Sequence, residues 1–286
     1  MKGFLTFALV FVTALTGIVL LTRMNVRAEL PRWKFLGYAG AFCALALLGW
    51  WFSTSGATVE QRLVPPLILP SPAEVVQAFP HLHSDQALVR SAVTSFVRVT
   101  SGFALAVLVA LPLGIYMAAF PRIAAFFRPL ALVGSYVPIV VFVPLTLAWF
   151  GTQEIQKIGF LFIACFVALL PQVIKTISDV PAAYLDVAVT KGATQWQLVW
   201  DVLFPVAKAD IWDHLRGVYG VGWGWIILAE VVSAEKGLGY LISVSERRGH
   251  TNAIFAVIAV IVAIAVACDQ LWRLGGNLLF PYRTRA

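Results

Sequence analysis

Long apolar runs decide what this chain can fold into. Several of them approach the roughly 20 residues that a helix needs to cross the ~30 Å hydrocarbon core of a bilayer. Hydrophobic residues make up 60% of the 286 positions and charged residues only 12%, whereas soluble domains are about half apolar and a quarter charged. We therefore predict an all-α polytopic membrane protein. Its predicted spans are 3–22, 35–52, 95–119, 128–150, 155–176, 212–233 and 253–275.

The first apolar run, 3–22, has two interpretations. Lys2 in front of it would suit a secretory signal peptide, but no small-x-small cleavage site precedes Arg23 and Arg27. We favour a retained transmembrane helix, so that 1–34 forms an extra helix with a basic cytoplasmic loop. If the run is cleaved or lies flat, six spans are left and the rest of the prediction is unchanged.

The distribution of Lys and Arg predicts the orientation. With the C-terminus in the cytoplasm, thirteen of the 21 basic residues lie on the inner side and eight on the outer side, as the positive-inside rule requires. This orientation places 53–90 and 234–250 outside and the polar segment 177–211 inside. The basic residues are scattered along membrane edges, so the net charge of +7 indicates topology and not nucleic-acid binding.

The segment 53–90 is polar and rich in proline. Within it, Ser71, Pro72 and Glu74 have the spacing of a capping box with proline at the first helical position. We expect a short helix to begin there, at the membrane surface.

Motifs for chemistry are missing from the sequence. It has no G-x-x-x-x-G-K-[ST] phosphate loop, no nucleophile elbow and no His/Cys group with metal-ligand spacing. His81 and His83 lie in a predicted loop, and Cys43, Cys165 and Cys268 all lie in apolar runs, where cysteine behaves as a small hydrophobe. We predict no enzyme activity, no metal and no cofactor on this chain.

The polar segment 177–211 is unusual in so apolar a chain. Its apolar positions between Tyr184 and Trp200 fit one or two short amphipathic helices around Gly192. Gly192 permits a bend or a close approach by another surface, and Pro205 is expected to stop or kink the preceding helix. Such a helix suits docking into a partner's groove, although an ordinary interfacial helix explains the same pattern.

The stretch DVAVTKGATQWQLVWDVLFP, residues 186–205, resembles the cytoplasmic coupling loop of bacterial ABC-importer permeases. That family's pattern is Glu-Ala-Ala, three residues, Gly, nine residues, then Ile-x-Leu-Pro. Ala188, Gly192 and Pro205 match it in identity. Four positions depart from it at the same spacing: Asp186 for Glu, Val187 for Ala, Val202 for Ile and Phe204 for Leu.

Other stretches narrow the resemblance to the nitrate/sulfonate/taurine permease group. They are LPSPAEVVQAF (69–79), SFVRVTSGFALAVLVALPLGIYMA (95–118), PLTLAWFG (144–151), ILAEVVSAEKGLGYLI (227–242) and the region of Asp269. The resemblance covers about 35–280, the six-span permease core, and leaves out residues 1–30.

The resemblance implies a permease subunit of the bacterial inner membrane that passes a small solute, such as a sulfonate, taurine, nitrate or another organic acid. Two cytoplasmic subunits would bind ATP and Mg²⁺, a second permease copy would complete a homodimer, and an external solute-binding protein would deliver the substrate. Coupling to the ATPase is assigned by resemblance to Asp186, Ala188, Gly192, Ala193, Trp196 and Pro205. Transport would follow alternating access.

Pathway residues are harder to assign. The candidates for a pathway or gate are Tyr136, Trp223, Trp225 and Glu230. A carboxylate at membrane depth is costly and usually faces a cavity or partner, but Glu230 also lies near the end of its span, where it could be solvated or cap a loop.

Two other charged residues have simple interpretations. Arg98, near the start of its span, is expected to snorkel to the headgroups in preference to attracting an anion. Asp269 is expected to pair with Arg273 four residues later.

Two rival functions stay open. An ion-gradient-driven secondary transporter would show internal inverted repeats and intramembrane acidic residues, and we find no repeat. A non-transporting membrane scaffold would use 177–211 only to hold a partner.

Overall fold

The computed structural model describes residues 31–56 and 58–285, except for the side chains of Arg32, Ser135, Thr284 and Arg285. The described residues contain helices and turns and no β-strand, so the predicted all-α class is confirmed. The extra helix predicted at 3–22 lies outside the described residues and stays a prediction. The helices are α1 Arg32–Thr54, α2 Pro72–Ser84, α3 Leu88–Ala119, α4 Pro121–Tyr136, α5 Phe142–Phe150, α6 Glu154–Ser178, α7 Ala182–Thr190, α8 Phe204–Ser233, α9 Leu238–Arg247 and α10 Thr251–Leu279, with 3₁₀ turns at Val59–Gln61, Ile139–Val141 and Pro281–Arg285.

Five helical segments among the described residues are long and apolar enough to cross a membrane: Trp33–Thr54, Leu88–Ala119, Glu154–Ser178, Gln195–Ser233 and Thr251–Leu279. A sixth crossing is built from two pieces, Pro121–Gly134 and Ile139–Phe150, which meet at an angle of 87°. The single helix predicted at 128–150 is therefore wrong. Pro138 lies in the break, and proline restricts the residue before it to extended conformations.

The chain divides into two compact units. Of the described residues, one unit comprises those up to Gln86 together with Val244–Ala256, and the other comprises Ala87–Ser243 and those from Val257 onward. In the first unit, the Trp50 indole N–H donates to the Pro70 carbonyl at 2.8 Å. The Thr251 hydroxyl donates to the Leu67 carbonyl at 2.8 Å.

The start of α2 follows the predicted capping box. The Ser71 hydroxyl accepts from the Glu74 N–H at 3.3 Å, and the Glu74 carboxylate accepts from the Ser71 N–H at 2.7 Å. Arg62 also donates to Glu74 at 2.8 Å. Burial raises the pKa of Glu74, but the Ser71 and Arg62 hydrogen bonds outweigh it and hold that pKa below its ordinary value.

In the second unit, α3 and α6 pack along most of their lengths. A Cβ on Gly102 would lie 2.4 Å from Leu161 Cβ, and one on Gly114 would lie 2.7 Å from Val173 Cγ1. These glycines let the two backbones approach closely, as small residues do between membrane helices. Both sets of neighbours advance along the chain together, so α3 and α6 run in the same direction.

This parallel pair fixes the role of the bent helices. The chain leaves α3 at one end of the unit and must return to the other end before α6 begins. Because α4 and α5 are the elements between α3 and α6, the bent pair acts as one full crossing. The six crossings of the described residues match the predicted six-span core.

Candidate functional site

The second unit has two ends that differ in their contacts: one is held by polar contacts and the other by apolar contacts. At one end, Arg98 of α3 donates hydrogen bonds to Glu154 in the first turn of α6 and to Glu230 in the last turn of α8. At the other end, Tyr116 of α3 contacts Trp196 and Trp200, which precede α8. We call these the Arg98 end and the Trp196 end.

The Trp196 end carries the predicted coupling segment. Helix α7 ends in a Schellman motif, in which the Gly192 N–H donates to Val189 O at 2.9 Å and the Ala193 N–H donates to Ala188 O at 3.0 Å. Gly192 has φ +83°, and a Cβ there would meet no atom within 4 Å. Glycine is therefore required at position 192 by the backbone conformation and not by lack of space, since L-residues rarely adopt positive φ.

A second helix begins directly after this turn. The Thr194 hydroxyl accepts from the Gln197 N–H at 3.4 Å, and the Gln197 side chain accepts from the Thr194 N–H at 2.8 Å, which forms a capping box. The predicted short helix before Gly192 is confirmed, but the helix after Gly192 is not short, because it continues to Ser233. We call Ala182–Gln197 the coupling surface.

Apolar side chains of the coupling surface are exposed. The exposed fractions are 54% for Tyr184, 57% for Val187 and 60% for Trp196, and no residue of α7 is buried. Asp186 is exposed as well, while Ala188 and Ala193 are half-buried. Helix α7 is not one of the membrane-crossing segments, and an exposed apolar face on such a helix is typical of a surface that binds a partner.

Pro205 does not end a helix. The chain is helical without interruption from Gln195 to Ser233, and the residues Leu198–Leu203 form a π-helical turn just before the proline. Proline has no N–H to donate, and a widened turn accommodates the missing bond. Residues 195–211, predicted as part of a polar connection, therefore belong to the helix that continues as α8.

The Arg98 end holds a buried ion cluster. The Arg98 guanidinium donates to both carboxylate oxygens of Glu154 at 2.6 Å and to Glu230 at 2.7 Å. Side-chain exposure is 2% for Arg98, 0% for Glu230 and 54% for Glu154. The expected snorkelling of Arg98 is wrong, because the carboxylates of α6 and α8 satisfy it inside the protein.

Glu230 also holds the loop that follows α8. Its carboxylate accepts from the Ser95 hydroxyl at 2.8 Å and from the Gly239 N–H at 2.8 Å. A Cβ on Gly237, where φ is +125°, would lie 2.5 Å from Glu230, and one on Gly239 would lie 2.6 Å from it. The spacing of Glu and the two glycines in ILAEVVSAEKGLGYLI thus builds a cradle for a carboxylate, and Glu230 is not solvated.

A second buried cation completes this cluster. The Lys157 ammonium donates to the carbonyls of Thr152 and, at 3.1 Å, of Ser233, and so caps the C-terminus of α8. The Ser233 hydroxyl donates to Gln156 at 3.0 Å. Sequence reasoning missed Ser95, Gln156 and Lys157, whose partners lie far along the chain.

The other candidate pathway residues are dispersed. Trp223 is 1% exposed and packs 6.1 Å from Phe96, while Trp225 is half-buried and Tyr136 is 82% exposed. The structure does not bring Tyr136 together with Glu230 by any described contact. Their pathway roles stay predictions.

An apolar groove of about 480 Å³ lies elsewhere in the second unit. Its lining includes Phe103, Tyr219 and Trp272, whose rings make edge-on and tilted contacts 5.1–5.8 Å apart. The Thr100 and Tyr219 hydroxyls share a hydrogen bond of 3.0 Å. No charged side chain lines it, so this groove offers no ion pair to a charged solute.

Asp269 has a different partner from the one expected. It accepts two hydrogen bonds from Arg216 of α8, at 2.5 and 2.7 Å, and the predicted pairing with Arg273 is wrong. A bidentate contact between two helices satisfies the planar guanidinium better than a contact with a residue on the same helix does. Arg283 similarly donates to Asp210 at 2.5 Å and to Asp213 at 2.6 Å, so the C-terminal turn lies at the Trp196 end.

Comparison with known proteins decides the family. The family model described as "Binding-protein-dependent transport system inner membrane component" matches residues 110–269, a range that includes the coupling surface and Glu230. The chain belongs to this family. It is a permease subunit of an ABC importer, with several membrane-crossing helices in the inner membrane.

Individual relatives agree with this family. The taurine transport system permease protein TauC of Escherichia coli (strain K12) is 31% identical over 244 residues, which cover 84% of this chain and 87% of TauC. The putative aliphatic sulfonates transport permease protein SsuC of Bacillus subtilis (strain 168) is 25% identical over 90% of this chain and 92% of SsuC.

A solved structure shares the fold. A chain of the MetNI methionine ABC transporter, in an inward-facing conformation, superposes with a TM-score of 0.56 at 16% identity. The superposition covers 66% of this chain and 96% of that chain.

Proposed function

We propose that this chain forms the translocation pathway of an ATP-driven importer by alternating access, coupled through its Trp196 end to separate ATP-binding subunits. The observation that carries this proposal is the coupling surface. Helix α7, the Schellman turn at Gly192 and the capped start of the next helix together expose apolar side chains at the Trp196 end. A folded, exposed helix can be seated in a groove of a partner and transmit displacement.

The chemistry of this chain supports an external source of energy. Its sequence contains no phosphate loop, so ATP and Mg²⁺ would be held by two partner subunits. A second copy of the permease and an external solute-binding protein complete the proposed assembly. The coupling surface and the C-terminal turn would face the cytoplasm, where ATP-binding subunits are found.

The proposed substrate is a small anion such as a sulfonate, taurine, nitrate or a related organic acid. Its support is the similarity to TauC and SsuC, which are named for taurine and aliphatic sulfonates. A solute-binding protein would set most of the selectivity, since the apolar groove of this chain has no charged lining.

Reconstitution tests this function. The chain, its ATP-binding subunits and its solute-binding protein are placed in liposomes, and ATP-driven uptake of labelled taurine is measured beside ATP hydrolysis. We expect uptake that depends on ATP and on the binding protein. Uptake driven by an ion gradient without ATP would contradict the proposal.

Gly192→Leu tests the coupling surface in the same assay. Leucine at φ +83° strains the turn by roughly 1–2 kcal/mol, so we expect ATP hydrolysis to continue while uptake falls. Gly249→Leu is the matched control, because Gly249 also has positive φ (+71°) and open space around it. Equal loss of uptake in both variants, or normal uptake in Gly192→Leu, would count against a coupling role.

A further inference from the structure

We propose that the ion cluster of Arg98, Glu154 and Glu230 is a permanent brace. It holds α3, α6, α8 and the loop 234–237 as one rigid body through the whole transport cycle, so that displacement at the coupling surface reaches the Arg98 end. This inference rests on the proposed function. It makes these side chains positioning residues rather than a gate or a substrate site.

The hydrogen bonds of the cluster support a contact that does not open. Arg98 donates to carboxylates from two other helices and also to the Lys236 carbonyl at 2.7 Å. Separating the helices would break the ion pairs of a buried guanidinium and a buried carboxylate, which is strongly unfavourable. A gate that opens in every cycle needs contacts that are easier to break.

Helix packing opposes sliding as well. Gly102 and Gly114 seat Leu161 and Val173 of α6 directly against the backbone of α3. Movement of α6 along α3 would drive these side chains out of their seats, because close-packed interfaces shift between discrete arrangements and do not deform continuously.

The loop after α8 is held by the same cluster. The Leu238 N–H donates to Ser95 at 2.9 Å and the Gly239 N–H donates to Glu230 at 2.8 Å, while Lys157 holds the last carbonyl of α8. Glu235 and Lys236 are exposed at its tip. The loop is therefore positioned by buried bonds, with its charged side chains directed to solvent.

A disulfide between α6 and α8 tests whether these helices move apart. A Cβ on Gly222 of α8 would lie 3.8 Å from the Cys165 Sγ of α6, so a cysteine there would bring its own sulfur within reach of that thiol. In Gly222→Cys, oxidation with a membrane-permeant oxidant such as iodine should form the bond. We expect the oxidised importer to retain uptake within about twofold of the reduced importer, a change well below 1 kcal/mol.

The matched control combines Gly222→Cys with Cys165→Ala, which cannot form this bond. Loss of uptake on oxidation, with recovery on reduction, in Gly222→Cys alone would overturn the brace. If the unmodified complex shows no ATP-driven uptake at all, the proposed function has failed and not this inference.

Glu154→Gln separates a brace from simple structural support. The side chain of Glu154 is half-exposed, so the variant should fold, but it loses the charge that holds Arg98 from α6. We expect uptake per ATP hydrolysed to fall by about tenfold at unchanged amounts of assembled complex. Glu60→Gln, an exposed glutamate, is the control.

A proportional fall of uptake and ATP hydrolysis in Glu154→Gln would contradict the proposal, since structural damage alone would produce it. An unchanged ratio of uptake to hydrolysis would contradict it equally.

Discussion

The two ends of the second unit differ in which side chains they bury: one buries charged groups and the other exposes apolar groups. At the Arg98 end, Arg98, Lys157 and Glu230 are buried and each finds partners on another helix. At the Trp196 end, apolar groups such as Tyr184 and Val187 are exposed, although their helix α7 is not one of the membrane-crossing segments. The first end is complete within one chain, and the second has the properties of a surface that a partner covers.

This contrast gives the energetic roles of the two ends. Changes at the Arg98 end should lower the stability of the chain itself. Changes at the Trp196 end should leave that stability alone and weaken assembly. The following predictions test the contrast, in order of decreasing effect.

Arg98→Met should have the largest effect. Removing one partner from a buried ion cluster costs about 3–5 kcal/mol, because Glu230 is left charged and fully buried. Chemical unfolding of the chain in detergent measures the loss. Arg90→Met is the control, since Arg90 is exposed on the same helix. An equal loss of stability in the two variants would show that the buried ion cluster does not stabilise the Arg98 end.

Val187→Ala together with Tyr184→Ala should weaken binding of the ATP-binding subunits by about 2 kcal/mol, as loss of well-packed interface residues does. The unfolding midpoint of the isolated chain should not change, because both side chains are exposed. Titration of the subunits against the chain in nanodiscs measures the affinity. Val59→Ala, another exposed apolar change, should leave binding unaffected.

Arg216→Lys should cost about 0.5–1 kcal/mol of stability. Lysine cannot reproduce the two bonds to Asp269, but the pair is about one-third exposed, and solvent weakens such contacts. Arg273→Lys is compared in the same unfolding assay and should have no effect. A larger loss of stability in Arg273→Lys than in Arg216→Lys would indicate that Asp269 pairs with Arg273, as the helix spacing predicted.

Glu74→Gln should have the smallest and most pH-dependent effect. The pKa of Glu74 is lowered in the folded protein, so its stabilisation is complete above the ordinary value of 4.5 and is lost as the pH falls through the lowered value. Melting curves from about pH 7 to about pH 2.5 should show the variant and the unmodified chain converging at the acid end. A constant difference across that range would contradict this assignment.

The sequence predicted those features that depend on local patterns. The apolar runs predicted the six crossings, Ser71-Pro72-Ala73-Glu74 predicted the capping box, and Gly192 predicted the bend between α7 and the helix that follows it. Each depends on neighbouring residues or on a fixed helical period.

Features that depend on distant partners could not be predicted. Arg98 was expected to snorkel because Glu154 and Glu230 are separated from it by 56 and 132 residues. The pairing of Asp269 with Arg216 spans 53 residues, and the nearer Arg273 appeared the simpler partner. The 87° break in 121–150 could have been predicted from Pro138. It was missed because the hydropathy of the run is continuous and favours a single span.

The distance between Arg98 and its partners also has a consequence for biosynthesis. Chains are made at about 5–20 residues per second, so Arg98 enters the membrane seconds before Glu154 exists and longer still before Glu230. During that interval the guanidinium must reach toward the headgroups, as long basic side chains do. Insertion of α6 and then of α8 withdraws it into the protein, so that the order of synthesis sets the order in which the ion cluster closes.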